Sequence, residues 1–336
     1  MTSHWLVESC LGDRSERRGT ALIAFGLVAV ASSTATGQVI DWNNPSGGQW
    51  SEAANWNPNN VAGDAPGESA RIAIAGTYPV TITNFHPTLD QLLLTNPNAT
   101  LNIMGGSTLT LLRAAGTNDG LIQVNPGNHA ANAVLRFDGS GTLGGTGEIL
   151  MMTGGDNSQI NTGVGAVLTH DAGHLIRGVG QIGADLVNDG VIRADVSVSL
   201  FLNFLELLTN DKINNNLMTA EAGTFLDIHT TIDQTLGGVL EANDGAIRTY
   251  DGATILGGEI NATGAGTLQT AGGTATLTDV TLNTLTYLNA GQTIAVNGAA
   301  GLTNNGLIQM NPPGNAPNAV LRFDASGTLW GRVRSR

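Results

Sequence analysis

Thr117-Asn-Asp-Gly-Leu-Ile-Gln-Val-Asn-Pro126 returns near the end of the chain as Thr303-Asn-Asn-Gly-Leu-Ile-Gln-Met-Asn-Pro312. The likeness runs on through Asn132-Ala-Val-Leu-Arg-Phe-Asp138 and Asn318-Ala-Val-Leu-Arg-Phe-Asp324. Over 117–143 and 303–329, 20 of 27 positions are identical without a gap. Chance does not produce such a match, so the chain is built from a repeated unit. A shorter signature, Asn-(Asp/Asn)-(Gly/Asn)-x-apolar, begins at Asn118, Asn188, Asn214, Asn243 and Asn304. The intervals between these starts fit one, two or three units of roughly 20 to 30 residues, the size of a solenoid coil.

Asn and Gly tolerate positive φ, so each signature is expected to turn the chain sharply before an apolar strand. The expected corner residues are Asn118, Gly120, Asn188, Gly190, Asn214, Asn243, Gly245, Asn304 and Gly306. Independent type I′ hairpins would use the same dipeptides, but the long identical flanks favour a common coil. Between the corners, runs such as Arg71-Ile-Ala-Ile-Ala75, Pro79-Val-Thr-Ile-Thr83 and 274–288 alternate with the period of a strand. The segment 199–208 reads equally as a short helix or a buried strand.

Composition agrees. Of 336 residues 46 are Gly, 41% are hydrophobic, 12% charged and 4% aromatic, and Lys212 is the sole lysine. Glycine lacks a three-residue period, which excludes collagen, and the aromatic signatures of a propeller are missing. Small aliphatic residues stacked in files suit a narrow solenoid better than a sandwich. The expected fold is therefore an all-β, right-handed parallel β-helix, with residues 71–329 forming the coils.

The ends differ from this body. Residues 1–37 read as a signal peptide: Arg14, Arg17 and Arg18 precede the apolar run 21–31, which small residues follow. That run is too short to span a bilayer, which takes about 20 residues, so no membrane span is expected once the signal is removed. Cys10, the single cysteine, lies before it, so no disulfide can form within the chain. Segment 38–70 holds Trp42, Trp50 and Trp56 and is expected to cap the first coil. The same rings could instead form a sugar-binding platform. Residues 330–336 carry three arginines and depart from the first copy of the repeat, which is the pattern expected of a frameshift or truncation. An open last coil would invite self-association.

The Trp-rich start (Trp50-Ser-Glu-Ala-Ala-Asn-Trp56), together with Gly141-Thr-Leu-Gly-Gly-Thr-Gly-Glu-Ile149, Ile176-Arg-Gly-Val-Gly-Gln-Ile182 and the Asn-x-Gly-x-Ile turns, resembles large secreted repeat proteins of planctomycetes. The latter two features are also similar to filamentous-haemagglutinin and autotransporter passenger β-helices. The resemblance implies a right-handed parallel β-helix at the cell surface or in the medium, and no particular activity.

The net charge of −13 and the dispersed basic residues argue against nucleic acid as a partner. Two groups could serve a carbohydrate-active enzyme: Asp185, Asp189 and Asp195 around Arg193, and Asp227, Asp233 and His229, with Arg248 as a further basic candidate. Most of these acids sit in or beside expected turns. His170-Asp-Ala-Gly-His174 has a metal-like spacing, but Gly173 places it at a turn, where surface histidines are expected. Gly154-Gly-Asp156 is only a fragment of a calcium nonapeptide, and no phosphate loop, nucleophile elbow or zinc spacing appears. The expectation is a secreted structural or adhesive rod with no catalytic residue, cofactor or metal. Its expected partners are extracellular polysaccharide or cell-surface components. The alternatives are a polysaccharide lyase or hydrolase, or a carbohydrate-binding module.

Overall fold

Outside the short strand Trp56–Asn57, strands pair in parallel from one coil to the next, and the chain winds in this way through about 11 turns. The computed structural model describes residues 37–127, 129–197, 203–311, 318–325 and 328–335. The expected signal peptide lies outside these residues apart from Gly37. Among the described residues there is no α-helix, only the short 3-10 turns Ala53–Asn55 and Gly155–Asn157. Of the segment that could have been a helix, 199–202 lie outside the described residues and Phe204–Leu207 is a strand.

Three sheets form the walls. The first includes Gly116–Asn118, Leu186–Asn188 and Lys212–Asn214; the second includes Leu121–Val124, Val191–Ala194 and Leu217–Ala220. The third includes Ala133–Phe137, Phe204–Leu207, Phe225–Ile228 and Ala246–Thr249. Coil length is uneven. His170 stacks on Asn188 in the next coil, whereas the coil before it, from Leu143 to His170, is half as long again. The loops at the corners absorb the difference while the strands stay in register.

Alternation within each strand turns every second side chain inward, and parallel register then sets like upon like. In the second sheet Leu101, Ile122, Ile149, Ile176, Ile192, Met218, Leu240, Ile260 and Leu282 form one inward file. Every member is fully buried. Burial of each such side chain is worth about 1.5–3 kcal/mol, and the outward positions between them are polar or half-buried.

The two long copies of the repeat do not lie on the same walls. Leu121–Val124 belongs to the second sheet and Ala133–Phe137 to the third. Their counterparts around Leu307 and Val320 pair with the third and first sheets. The copies are one wall out of phase, so the walls are interchangeable hosts for the same strand sequence.

Trp42, Trp50 and Trp56 are buried at the start of the solenoid. Trp56 meets Trp42 edge-on with ring centres 5.0 Å apart, and Trp50 at 4.6 Å. The indole nitrogens of Trp50 and Trp56 donate to Ala62 O at 2.8 Å and Trp50 O at 2.7 Å. Val39–Trp42 makes an antiparallel pairing, with Trp56–Asn57, and so folds the cap against the first coil. These rings are not free to stack on a sugar, so the binding-platform reading does not account for them, whereas the cap reading does. At the other end, Thr328–Ser335 runs as a strand through the Arg-rich segment and pairs with Thr293–Met310.

Replacing Trp56 by Ala removes the ring shared by both aromatic contacts. The expected cost is about 3–5 kcal/mol, read as a lower denaturation midpoint by tryptophan fluorescence; a loss below about 1 kcal/mol would show that the cap does not support the first coil.

Candidate functional site

The signature asparagines occupy two different corners. Asn118, Asn188 and Asn214 end strands of the first sheet, whereas Asn243 ends a strand of the second and Asn304 lies at the equivalent second-sheet corner. None of the nine expected corner residues has positive φ. The glycine is required for another reason: a Cβ on Gly306 would lie 2.0 Å from Thr284 O, and one on Gly245 2.4 Å from Glu221 O. The corners of successive coils touch backbone to backbone there, and only a hydrogen fits between them.

The three first-sheet asparagines instead supply an internal polar ladder, while Asn243 donates to Glu221 and Asn304 to Arg332 O. Asn188 Nδ2 donates to Asn214 Oδ1 at 2.9 Å, and Asn214 Nδ2 reaches Gln234 Oε1 at 3.5 Å. The ladder continues the other way through the two histidines. His170 Nδ1 lies 2.7 Å from Asn188 Oδ1, His170 Nε2 lies 3.0 Å from His174 Nδ1, and Asn118 Nδ2 lies 2.9 Å from His174 Nε2. One proton arrangement satisfies every link. Asn118 donates to His174, which donates through Nδ1 to His170, which donates through Nδ1 to Asn188. Both imidazoles are then neutral. His170 and His174 are at a turn as expected, but they are buried rather than at the surface, because a polar ladder needs partners inside the coil.

Burial holds His174 down at about 3 and lowers His170 as well. An unfolded His binds a proton near pH 6.5, so between there and pH 3 the unfolded chain takes up protons that the folded chain refuses. Stability must fall as the solution is acidified through this window. Melting temperatures of the parent and His174→Gln at pH 8, 6.5 and 5 test this. The parent is expected to lose more between pH 6.5 and 5, before most carboxylates titrate; equal losses would place the titration elsewhere.

Lys212 stands in an inward file between Leu186 and Ile232 and is fully buried. Its Nζ donates to Leu208 O at 3.0 Å and to Asn210 O, closing the corner that precedes its own strand. Burial pushes the ammonium down to about 7. Between pH 7 and the ordinary lysine value of about 10.4 the unfolded chain holds the extra proton, so stability rises with pH. Lys212→Met should flatten that rise, and its stability relative to the parent should be greatest at pH 7 and below. Parallel slopes in denaturant titrations at pH 7 and 10 would refute the assignment.

Outward-facing acids are engaged across coils. The first candidate group is dispersed: Asp189 accepts from Asn215 at 2.7 Å, the backbone N–H of Asp185 is held by Thr162, and only Asp195 approaches arginines. Arg177 binds Glu148 through two bonds of 2.9 and 3.1 Å and lies 3.5 Å from Asp195, while Arg193 lies 3.8 Å from Glu221. Burial raises the Asp195 carboxyl.

The second group is partly assembled. Asp233 turns away and caps Thr235, but Glu206, which sequence reasoning missed, joins Asp227 and His229. Glu206 and Asp227 stack directly in register on the third sheet. Arg248, one coil further, grips Asp227 through Nε at 2.6 Å and a terminal nitrogen at 2.5 Å. Its guanidinium lies 3.9 Å from the centre of the Phe225 ring. Tyr250 donates to Asp227 at 3.2 Å and stacks on His229 with centres 4.0 Å apart. Burial pushes the Tyr250 phenol up to about 12, so it remains a donor.

Shallow depressions follow the glycine corners, one of about 380 Å³ beside Gly264, Gly266 and Gly306, but no titratable side chain lines it. The Glu206–Asp227–His229–Arg248–Tyr250 patch is therefore the candidate site with the richest chemistry among the described residues. Stacked files, internal ladder and cross-coil pairs together define a β-solenoid protein. No family model, curated protein or solved structure matches the chain.

Proposed function

We propose that the chain is an exported, non-catalytic β-solenoid serving as a structural or adhesive rod of the cell surface or extracellular matrix. The supporting observation is the pairing of its carboxylates across coils, as in Arg71–Asp41, Arg177–Glu148 and Arg248–Asp227. A glycosidase needs one carboxyl free to donate a proton and another free to attack or activate water; an acid held by two guanidinium bonds is suited to neither. Export is supported by the apolar run 21–31 behind three arginines. Outward Asn, Thr and Gln along the walls suit contact with polysaccharide or other surface polymers through amide and hydroxyl hydrogen bonds.

A carbohydrate-active enzyme is the second reading, favoured by Glu206, which among the described residues accepts a hydrogen bond only from the Gln181 amide, at 2.8 Å. Incubation of the chain with neutral and acidic polysaccharides separates the two. The rod reading expects co-sedimentation with at least one polymer and no new reducing ends or unsaturated uronates. Turnover that disappears in Glu206→Gln would replace it with the enzyme.

A further inference from the structure

His229 Nε2 is shut off from solvent and has no hydrogen-bond partner among the described residues. It faces Glu206 Oε1 at 3.7 Å, too far for a hydrogen bond. Ligating atoms of Glu206, Asp227 and His229 all lie within 4.8 Å of one another. Two carboxylate oxygens and an unsatisfied imidazole nitrogen are thus held within reach of a single ion. A zinc ion bound at about 2.0–2.2 Å to N and O donors in tetrahedral array sets neighbouring donors about 3.4 Å apart. The imidazole and the Glu206 carboxylate need to close by only a few tenths of an ångström to meet that spacing.

The surroundings are those of held ligands. Gln181 donates to Glu206 Oε2 and leaves Oε1 turned toward the imidazole. Arg248 and Tyr250 fix the carboxylate of Asp227. Tyr250 lies flat against His229 with an interplanar angle of 17° and sets the plane of its ring. Partners of this kind orient metal ligands and restrain them before the ion arrives. The two carboxylates outweigh the single guanidinium, so the local charge favours a cation. The side chains of His229 and Glu206 are 27% and 17% exposed, so the cluster lies at the outer face of the third sheet although Nε2 itself is covered.

We propose that Glu206, Asp227 and His229 form a divalent transition-metal site, suited to Zn²⁺, with water in the remaining position. One imidazole and two carboxylates make a mixed donor set, which suits zinc better than an all-oxygen calcium site. The ion would tie two successive coils together on the third sheet. This goes beyond the rod reading, which stands or falls separately.

The test is Zn²⁺ titration of the metal-stripped full chain by calorimetry, with Co²⁺ absorption as a direct reading of the ligands. His229→Gln and Glu206→Gln are compared with a His86→Gln, His129→Gln control. One site is expected whose affinity falls at least tenfold in either site variant and is unchanged in the control. Zn²⁺ is also expected to raise the melting temperature of the parent but not of Glu206→Gln. Glu206→Gln preserves side-chain shape, and circular dichroism verifies its fold. Absence of Zn²⁺ binding, or binding equal in the parent and both site variants, would overturn the proposal.

Discussion

Parallel stacking in register governs the rest of this molecule. Each inward residue has the corresponding residue of the previous coil beneath it and that of the next coil above it, at a strand spacing of about 4.8 Å. An aliphatic file satisfies that arrangement by dispersion and loss of water. A polar side chain satisfies it only when its neighbour in the stack or across the corner can bond to it. The asparagine–histidine ladder and Lys212 are two such solutions, and buried hydroxyls such as Ser158 and Thr224, which donate to carbonyls of another coil, are a third. The ladder passes hydrogen bonds from coil to coil; the lysine stops within its own coil and binds backbone carbonyls. The lysine must also keep an ammonium away from water, which explains its lowered proton affinity.

The same stacking makes the corner glycines necessary. The short coil from His170 to Asn188 and the longer one from Leu143 to His170 share one register, so the corners, not the strands, accommodate the variation. Where two corners close on each other, backbone oxygen comes too near for a side chain. Gly238 illustrates this: a Cβ there would lie 1.9 Å from Asn214 O. Conformational freedom is used elsewhere, for example at Asp244 with φ of 55°, beside Gly245. At first-sheet corners the signature supplies an inward amide for the ladder, as at Asn118, Asn188 and Asn214, whereas at the second-sheet corner of Asn243 the amide faces outward and bonds Glu221.

Strand alternation, the duplicated segment, the shortage of charge and the tryptophans gathered ahead of the coils together made the solenoid legible from sequence. Those signals are local, or compare the chain with itself. What the sequence could not display was phase. Asn118 and Asn304 head almost identical segments yet stand at different corners, because loops of unequal length separate them. The candidate site suffers from the same loss. Glu206, Asp227 and Arg248 meet because they share an outward file, one coil apart at each step. Without strand boundaries, Asp233 looks as close to that group as Glu206 does. The burial of His170 and His174 was hidden for a related reason: a turn ordinarily faces water, but here its side chains enter the coil beside Asn118 and Asn188.

Interchangeable walls also bear on how such a chain can lengthen. If the three walls made different demands on a strand, a duplicated segment would fold only when an integral number of coils separated its copies. The copies here are separated by whole coils plus one wall, and each still sets its Ile inward, Ile122 in one and Ile308 in the other. Their outward neighbours, by contrast, meet different partners on the two walls. Core packing therefore tolerates a shift by one wall, whereas an outward cluster such as that around Asp227 does not survive it, since its members come from successive coils of one wall. The interior of this solenoid is generic and its outer chemistry is specific to phase, so a binding patch depends on the lengths of the corners as much as on the residues in the strands.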